Sequence, residues 1–203
     1  MIPDIKPYFI RHIAIPTDHG SWIFLISPLL IGLFAGGQWR IASLFLVVAA
    51  FAAFLIRQPI TVAVKAYAGR RSRRDLPAAR FWIVIYAIVG MLAVVGLIWQ
   101  GYAWVLILAL PGAPVFAWHL WLVSRREERR KAGIEILATG VLALAAPASY
   151  WVGLGRQDPV GWWLLLLTWF QSAASIVYAY LRLEQRELTS LPNLPTRLRM
   201  AKR

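Results

Sequence analysis

Three ionisable side chains lie within, or at the mouth of, apolar stretches where a charge is costly: Glu135, His119 and His19. Glu135 stands four residues after Lys131 near an expected helix start. There it fits an intrahelical ion pair favoured by the helix dipole. It fits equally a carboxylate held between helices to orient an arginine or a bound headgroup. His119, between Trp118 and Trp121, reads most simply as an interfacial aromatic. His19 has more unusual neighbours, with Asp18 before it and Gly20 and Trp22 after it. If the apolar stretches are membrane spans, Arg57, Glu135 and Arg182 fall on the same face as His19. The expectation is a polar site just under the headgroups, with Asp18, His19, Trp22, Arg57, Glu135 and Arg182 as its ligand-binding residues.

Other chemistries lack their residues. The chain has no cysteine, which removes thiolate catalysis, thiolate metal sites and disulfides. It shows no glycine-rich phosphate loop, no paired metal carboxylates and no Ser-His-Asp spacing. No catalytic residue and no metal ligand is therefore assigned. The only cofactor the reading admits is a bound lipid or quinone. Gln171, with Thr168, Ser172 and Ser175, gives the last apolar stretch a polar patch, which interhelical hydrogen bonding and close packing of small residues would explain.

The elements that must position these residues are six apolar stretches: 20–36, 39–56, 81–99, 102–123, 132–153 and 161–181. Each is long enough to cross about 30 Å of hydrocarbon as helix. With 60% hydrophobic and 15% charged residues, the chain is too apolar for an ordinary soluble domain. The fold class expected is an all-α polytopic transmembrane bundle of six spans forming a single domain, 1–203.

Charge sets the expected orientation. Of the 22 basic residues, only Arg40 and Arg156 fall in the loops 37–38, 100–101 and 154–160 or at their borders. The rest gather in the amino-terminal segment, the loops 57–80 and 124–131, and the tail 182–203. Cytoplasmic loops carry the excess of Lys and Arg, so both termini are expected in the cytoplasm, and the protein in the bacterial cytoplasmic membrane. A net charge of +13 could suggest nucleic acid, but here it is divided among short loops rather than gathered on one folded face. Its expected partner is the anionic cytoplasmic leaflet. Trp39, Trp99, Trp104, Trp151, Trp162 and Trp163 lie at outer ends and Trp22, Trp82, Trp118 and Trp121 toward inner ends, as interfacial indoles do. Only Trp169 sits deeper. The polar, proline-containing segment before residue 20 does not read as a cleavable signal.

Local signals predict several breaks. Thr17 or Asp18 should cap the first span. Gln58-Pro59 should interrupt the second, leaving Ile60, Val64 and Tyr67 on a short interfacial helix that Gly69 ends. Asp75-Leu76-Pro77 should start the third, with the aspartate as cap acceptor. Gln100-Gly101 should join the third and fourth spans as a tight antiparallel hairpin. Pro111 and Pro114 should kink or break the fourth span, with the break turned to the bundle interior, and Pro28 and Pro147 should act more mildly. Prolines about nine residues into both the first and the fourth spans also admit a small transporter with matched interrupted helices.

Pro16, Asp18, His19, Gly20, Trp22, Pro28, Gly32 and Leu33 resemble the opening of the YwiC-like membrane proteins, with Asp18 where glutamate is expected. Arg57-Gln58-Pro59, Glu135, the run Ala-Ala-Pro-Ala-Ser-Tyr ending at Tyr150, and the closing Tyr178-Ala179-Tyr180-Leu181-Arg182-Leu183 extend the resemblance over nearly the whole chain. It implies a small integral membrane protein and no particular activity. The helical organisation is also distantly similar to the UbiA-type prenyltransferases, but Asp4, Asp18, Asp75 and Asp158 are isolated. The aspartate-rich pairs that would hold magnesium and a diphosphate are missing. The reading is therefore a non-catalytic membrane component that binds a lipid, quinone or other isoprenoid, and an accessory subunit of a larger energy-transducing complex. A transferase lacking the usual motifs and a small transporter are the alternatives.

Overall fold

A computed structural model describes residues 8–16, 19–125 and 132–186. Among these the chain is helical throughout: α1 (Arg11–Ala14), α2 (His19–Gly36), α3 (Ile41–Tyr67), α4 (Leu76–Trp99), a 3₁₀ stretch (Ala103–Ala109), α5 (Gly112–Arg125), α6 (Ala132–Ala143), α7 (Ala145–Leu154) and α8 (Val160–Arg186). Five helical stretches are long and apolar enough to cross a membrane: Ile41–Tyr67, Arg73–Trp99, Ala103–Arg125, Gly133–Leu154 and Val160–Leu183. The remaining apolar helix, Gly20–Gly36, is shorter.

Between apolar helices in lipid there is little hydrophobic drive, so close packing depends on small residues. The α2–α7 seam shows this plainly. A Cβ on Gly36 would stand 2.9 Å from the Tyr150 carbonyl oxygen, and one on Gly32 would collide with the Ala146 carbonyl and Ser149 Oγ. The buried Ser149 hydroxyl lies within donating distance of the Leu29 carbonyl across the seam (3.0 Å) and of its own Ala145 carbonyl (2.7 Å). The α3–α4 pair uses Gly90 against Ala52 and Gly96 against the Phe45 ring. On α6, Gly140 lies under the Trp169 ring of α8.

Two buried clusters form at opposite ends of the bundle. At one end Ile13 of α1 packs with Val62, Ala63, Ala78 and Ala79. At the other, Leu46, Leu97, Val105, Leu108, Trp151 and Val152 meet, with Trp104 tilted against Trp151 at 6.2 Å between centroids and Trp162 edge-on to it at 5.1 Å.

Helix α3 runs 27 residues straight through Pro59, so the expected interruption and separate interfacial helix do not form. Pro59 is fully buried, and Val62, Ala63 and Ala66 beyond it belong to the buried face of the same helix. That packing offsets one lost hydrogen bond at the Leu55 carbonyl. The helix then closes as the sequence suggests. Gly69 has φ +68°, its amide bonds the Ala66 carbonyl and the Arg70 amide bonds that of Lys65. The next helix starts at Leu76 with Pro77 in its first turn, but the Asp75 carboxylate does not cap it. It accepts from Arg71 Nε at 2.6 Å instead.

The connection after α4 is a tight turn through Gly101 (φ +84°), with Tyr102 N–H on the Leu97 carbonyl. The hairpin is not packed along its length. α5 leans on α3 and α6, and α4 touches the fourth span chiefly at the 3₁₀ stretch.

The stretch Ala103–Arg125, expected as the fourth span, breaks at Leu110-Pro111, but the break faces outward: Leu110 is 66% exposed, and Pro111, Ala113 and Pro114 are also exposed. The expected inward orientation is corrected by the local hydrogen bonding. Leu110 N–H bonds the Ile107 carbonyl and Ala113 N–H that of Leu110, so freed groups are paired within the turn itself. Pro114 falls in the first turn of α5, where no amide is required. The stretch Gly133–Leu154 is interrupted at Leu144, between α6 and α7, three residues before Pro147. Pro28, by contrast, lies inside an unbroken α2, so its effect does not match the break at Pro111.

Candidate functional site

The six expected site residues divide into groups. Trp22 and Arg57 come together on one ring: Phe54 meets Trp22 edge-on at 5.2 Å, and the Arg57 guanidinium lies over the same ring at 5.1 Å. Their order follows from helical spacing, since Phe51, Phe54 and Arg57 recur every three residues on α3 and Phe51 also reaches Trp22, at 6.3 Å. The Trp22 indole N–H points back to the Pro16 carbonyl at 3.4 Å, holding the start of α2 against the segment that precedes it. Stacking on a buried aromatic fixes the plane of the guanidinium, whose fork of N–H donors matches bidentate oxygen acceptors.

Glu135 belongs to a second group. Its carboxylate accepts from the Tyr180 hydroxyl at 2.8 Å, joining α6 to α8. Arg182 is exposed two residues further along α8. Among the described residues no ion pair joins Glu135 to Arg57 or Arg182. Asp18 and Lys131 lie outside the described residues, as does the cap at Thr17 or Asp18. His19 opens α2, but its side chain is outside the described set. Among the described residues no three His, Asp or Glu side chains gather into a cluster suited to a metal.

His119 is half-buried, and its neighbours Trp118 and Trp121 are 45% and 48% exposed. Arg125 stacks over Trp121 at 4.5 Å one turn later, an aromatic and basic rim such as helix ends carry at a membrane boundary.

Sequence reasoning missed Phe54 and Tyr180, the residues that organise each group. Phe54 was legible in the three-residue spacing toward Arg57. Tyr180 was not, because its pairing with Glu135 spans 45 positions. At the opposite end Arg40, the exception in the charge count, has a structural contact. Its Nε donates to the Gly153 carbonyl at 3.0 Å and Nη2 to Gln38 Oε1 at 2.6 Å, which ties the turn between α2 and α3 to the end of α7.

Five apolar helical stretches long enough to cross a membrane, joined through carbonyls and small-residue seams, define a multi-pass helical membrane protein. More narrowly, the chain belongs to the YwiC-like protein family, whose model matches residues 15–150. It is 26% identical over 162 residues to the uncharacterized protein YwiC of Bacillus subtilis (strain 168), a match covering 75% of this chain and 59% of that relative's length. No solved structure matches. The family match takes in Trp22, Arg57 and Glu135 and stops before α8, so Tyr180 and Arg182 lie beyond it.

Proposed function

We propose that this protein is a non-catalytic component of the bacterial cytoplasmic membrane. It holds the headgroup of a lipid, quinone or other isoprenoid at the end of the bundle that carries Arg57. The observation that carries this reading is the stack of Arg57 on Phe54 beside Trp22, which presents a planar cation at the close of an apolar span. Phosphate, carboxylate and carbonyl oxygens all suit such a guanidinium. Both basic loops and both termini face the cytoplasm in this reading, next to the anionic leaflet. The relative named above spans a longer chain, and what that protein does as a whole stands outside the proposal.

Lateral association within a larger complex is the second part of the reading. It draws on large apolar side chains left uncovered around the bundle, among them Trp99 at 87%, Phe34 at 68% and Met91 at 67% exposure. Purification in a gentle detergent, followed by mass spectrometry of retained lipids and proteins, tests both parts. Bound lipid or quinone and a reproducible protein partner are expected. A lone protein without lipid or cofactor would overturn the proposal.

A further inference from the structure

Halfway across the bundle, α2 and α8 stand apart over a cleft of about 280 Å³ including its open mouth. Ser27 and Pro28 form one wall; Thr168, Gln171 and Ser175 form the other. Gln171 is 11 residues into α8 and Ser27 is 8 into α2, so at about 1.5 Å per residue both lie more than 10 Å from the nearer helix end. Headgroup water does not reach such a depth.

The hydrogen-bonding account of the cleft does not close. Thr168, Ser172 and Ser175 each donate to a carbonyl one turn back, at 2.7, 2.8 and 2.9 Å. Those donors are spent. The Gln171 amide and the Ser27 hydroxyl make no side-chain hydrogen bond among the described residues. A serine can turn to its own helix carbonyl, but a glutamine amide carries two donors that its own helix cannot absorb. Pro28 has no N–H to give the Phe24 carbonyl, and both residues line the cleft. No buried side-chain polar atom among the described residues lacks a partner; Gln171 is exposed at the cleft, and an amide facing hydrocarbon there requires one.

We infer that this cleft is a second binding site. It takes the oxygen-bearing head of a neutral lipid-soluble molecule, a quinone ring or the terminal alcohol of an isoprenoid, entering sideways from the bilayer. The lining fixes each part of that description. It holds no charged side chain, so a phosphate or carboxylate finds no counter-ion. Its donors come from both walls, Ser27 on one and Gln171 on the other, which suits a carbonyl or hydroxyl oxygen. The cleft is small and open on one side rather than enclosing, so only a head enters and the tail stays in lipid. Polar groups on both walls of a concavity suit an inserted head better than a second copy of the chain, which would meet Gln171 on one helix ridge. The site is independent of Arg57 and does not rest on the function proposed above.

Photolabelling tests the inference. Protein in phosphatidylcholine nanodiscs is irradiated with an azidoquinone and, separately, with a diazirine-bearing farnesol, and labelled peptides are located by mass spectrometry. Label within 23–28 and 168–175 from at least one probe is expected, and which probe reacts tells carbonyl from alcohol. Labelling should fall at least tenfold in Gln171→Leu and in Ser27→Ile, which fills the cleft from the other wall should the first variant not fold. Label confined to the peptide around Arg57 would support the proposed function and overturn this inference. Label unchanged in both variants, label at neither site, or a wild-type dimer that Gln171→Leu converts to monomer would also overturn it.

Discussion

Trp169 lies where a methyl on Gly140 would stand: a Cβ added there would sit 2.8 Å from the indole Cε2. The missing side chain lets the ring lie flat on α6 and donate its N–H to the Ile136 carbonyl at 2.9 Å. This explains why one tryptophan sits deep rather than at a membrane boundary, since its polar edge has a protein partner.

Gly140→Ala should therefore lift the ring, break that bond and cost about 1–3 kcal/mol, as overpacking of a close contact does. Gly133→Ala on the same helix meets nothing within 4 Å and should leave stability unchanged. Thermal unfolding of both variants in the same detergent makes the comparison, and equal midpoints would contradict the packing described.

The α2–α7 seam should be the more sensitive. Gly32→Ala places its new methyl against backbone as well as the Ser149 hydroxyl, so α2 must move, and little folded protein should be recovered. Ser149→Ala removes a hydroxyl shared between the Leu29 carbonyl and its own helix, and about 0.6 kcal/mol is typical for an interhelical hydrogen bond in membrane bundles. Folded yield by size exclusion separates a large effect from a small one.

Arg57→Gln should reduce retained anionic lipid or quinone at least threefold while leaving the unfolding midpoint near that of the parent. Arg57→Lys should recover little, because an ammonium keeps the charge without the planar donors. Lipid extraction and quantitative mass spectrometry of the three proteins read this out. Equal retention would remove Arg57 from the site.

The absence of cysteine makes single-cysteine labelling clean. Ser72 and Arg156 are both exposed. Ser72→Cys should react with an impermeant maleimide only from the cytoplasmic side and Arg156→Cys only from the opposite side. Labelling of both from one side would defeat the proposed orientation.

Helix positions were largely legible in the sequence because hydrocarbon imposes a strong length and composition requirement, and the Schellman turns at Gly69 and Gly101 follow from residue type. Proline was misleading where tertiary packing decided the outcome. Pro59 reads like Pro111, yet buried neighbours carry the helix past the first, while the second sits at an outward turn that pairs its own carbonyls. For the candidate site the sequence offered a face and no contacts. Sequence placed Trp22, Arg57, Glu135 and Arg182 at one end, but which of them meet depends on helix rotation. That rotation follows from contacts such as Gly32 against Ala146 rather than from the candidate residues themselves.

The seven 3₁₀ residues from Ala103 to Ala109 change the geometry of the crossing they open. With a rise of about 2.0 Å per residue instead of 1.5 Å, they reach about 14 Å where an α-helix would reach about 10.5 Å. Side chains three apart eclipse in such a winding, which is why Val105 and Leu108 form a single narrow buried ridge. The stretch Ala103–Arg125 therefore has two angular registers, one on each side of Pro111, and side chains three apart align before it and not after it.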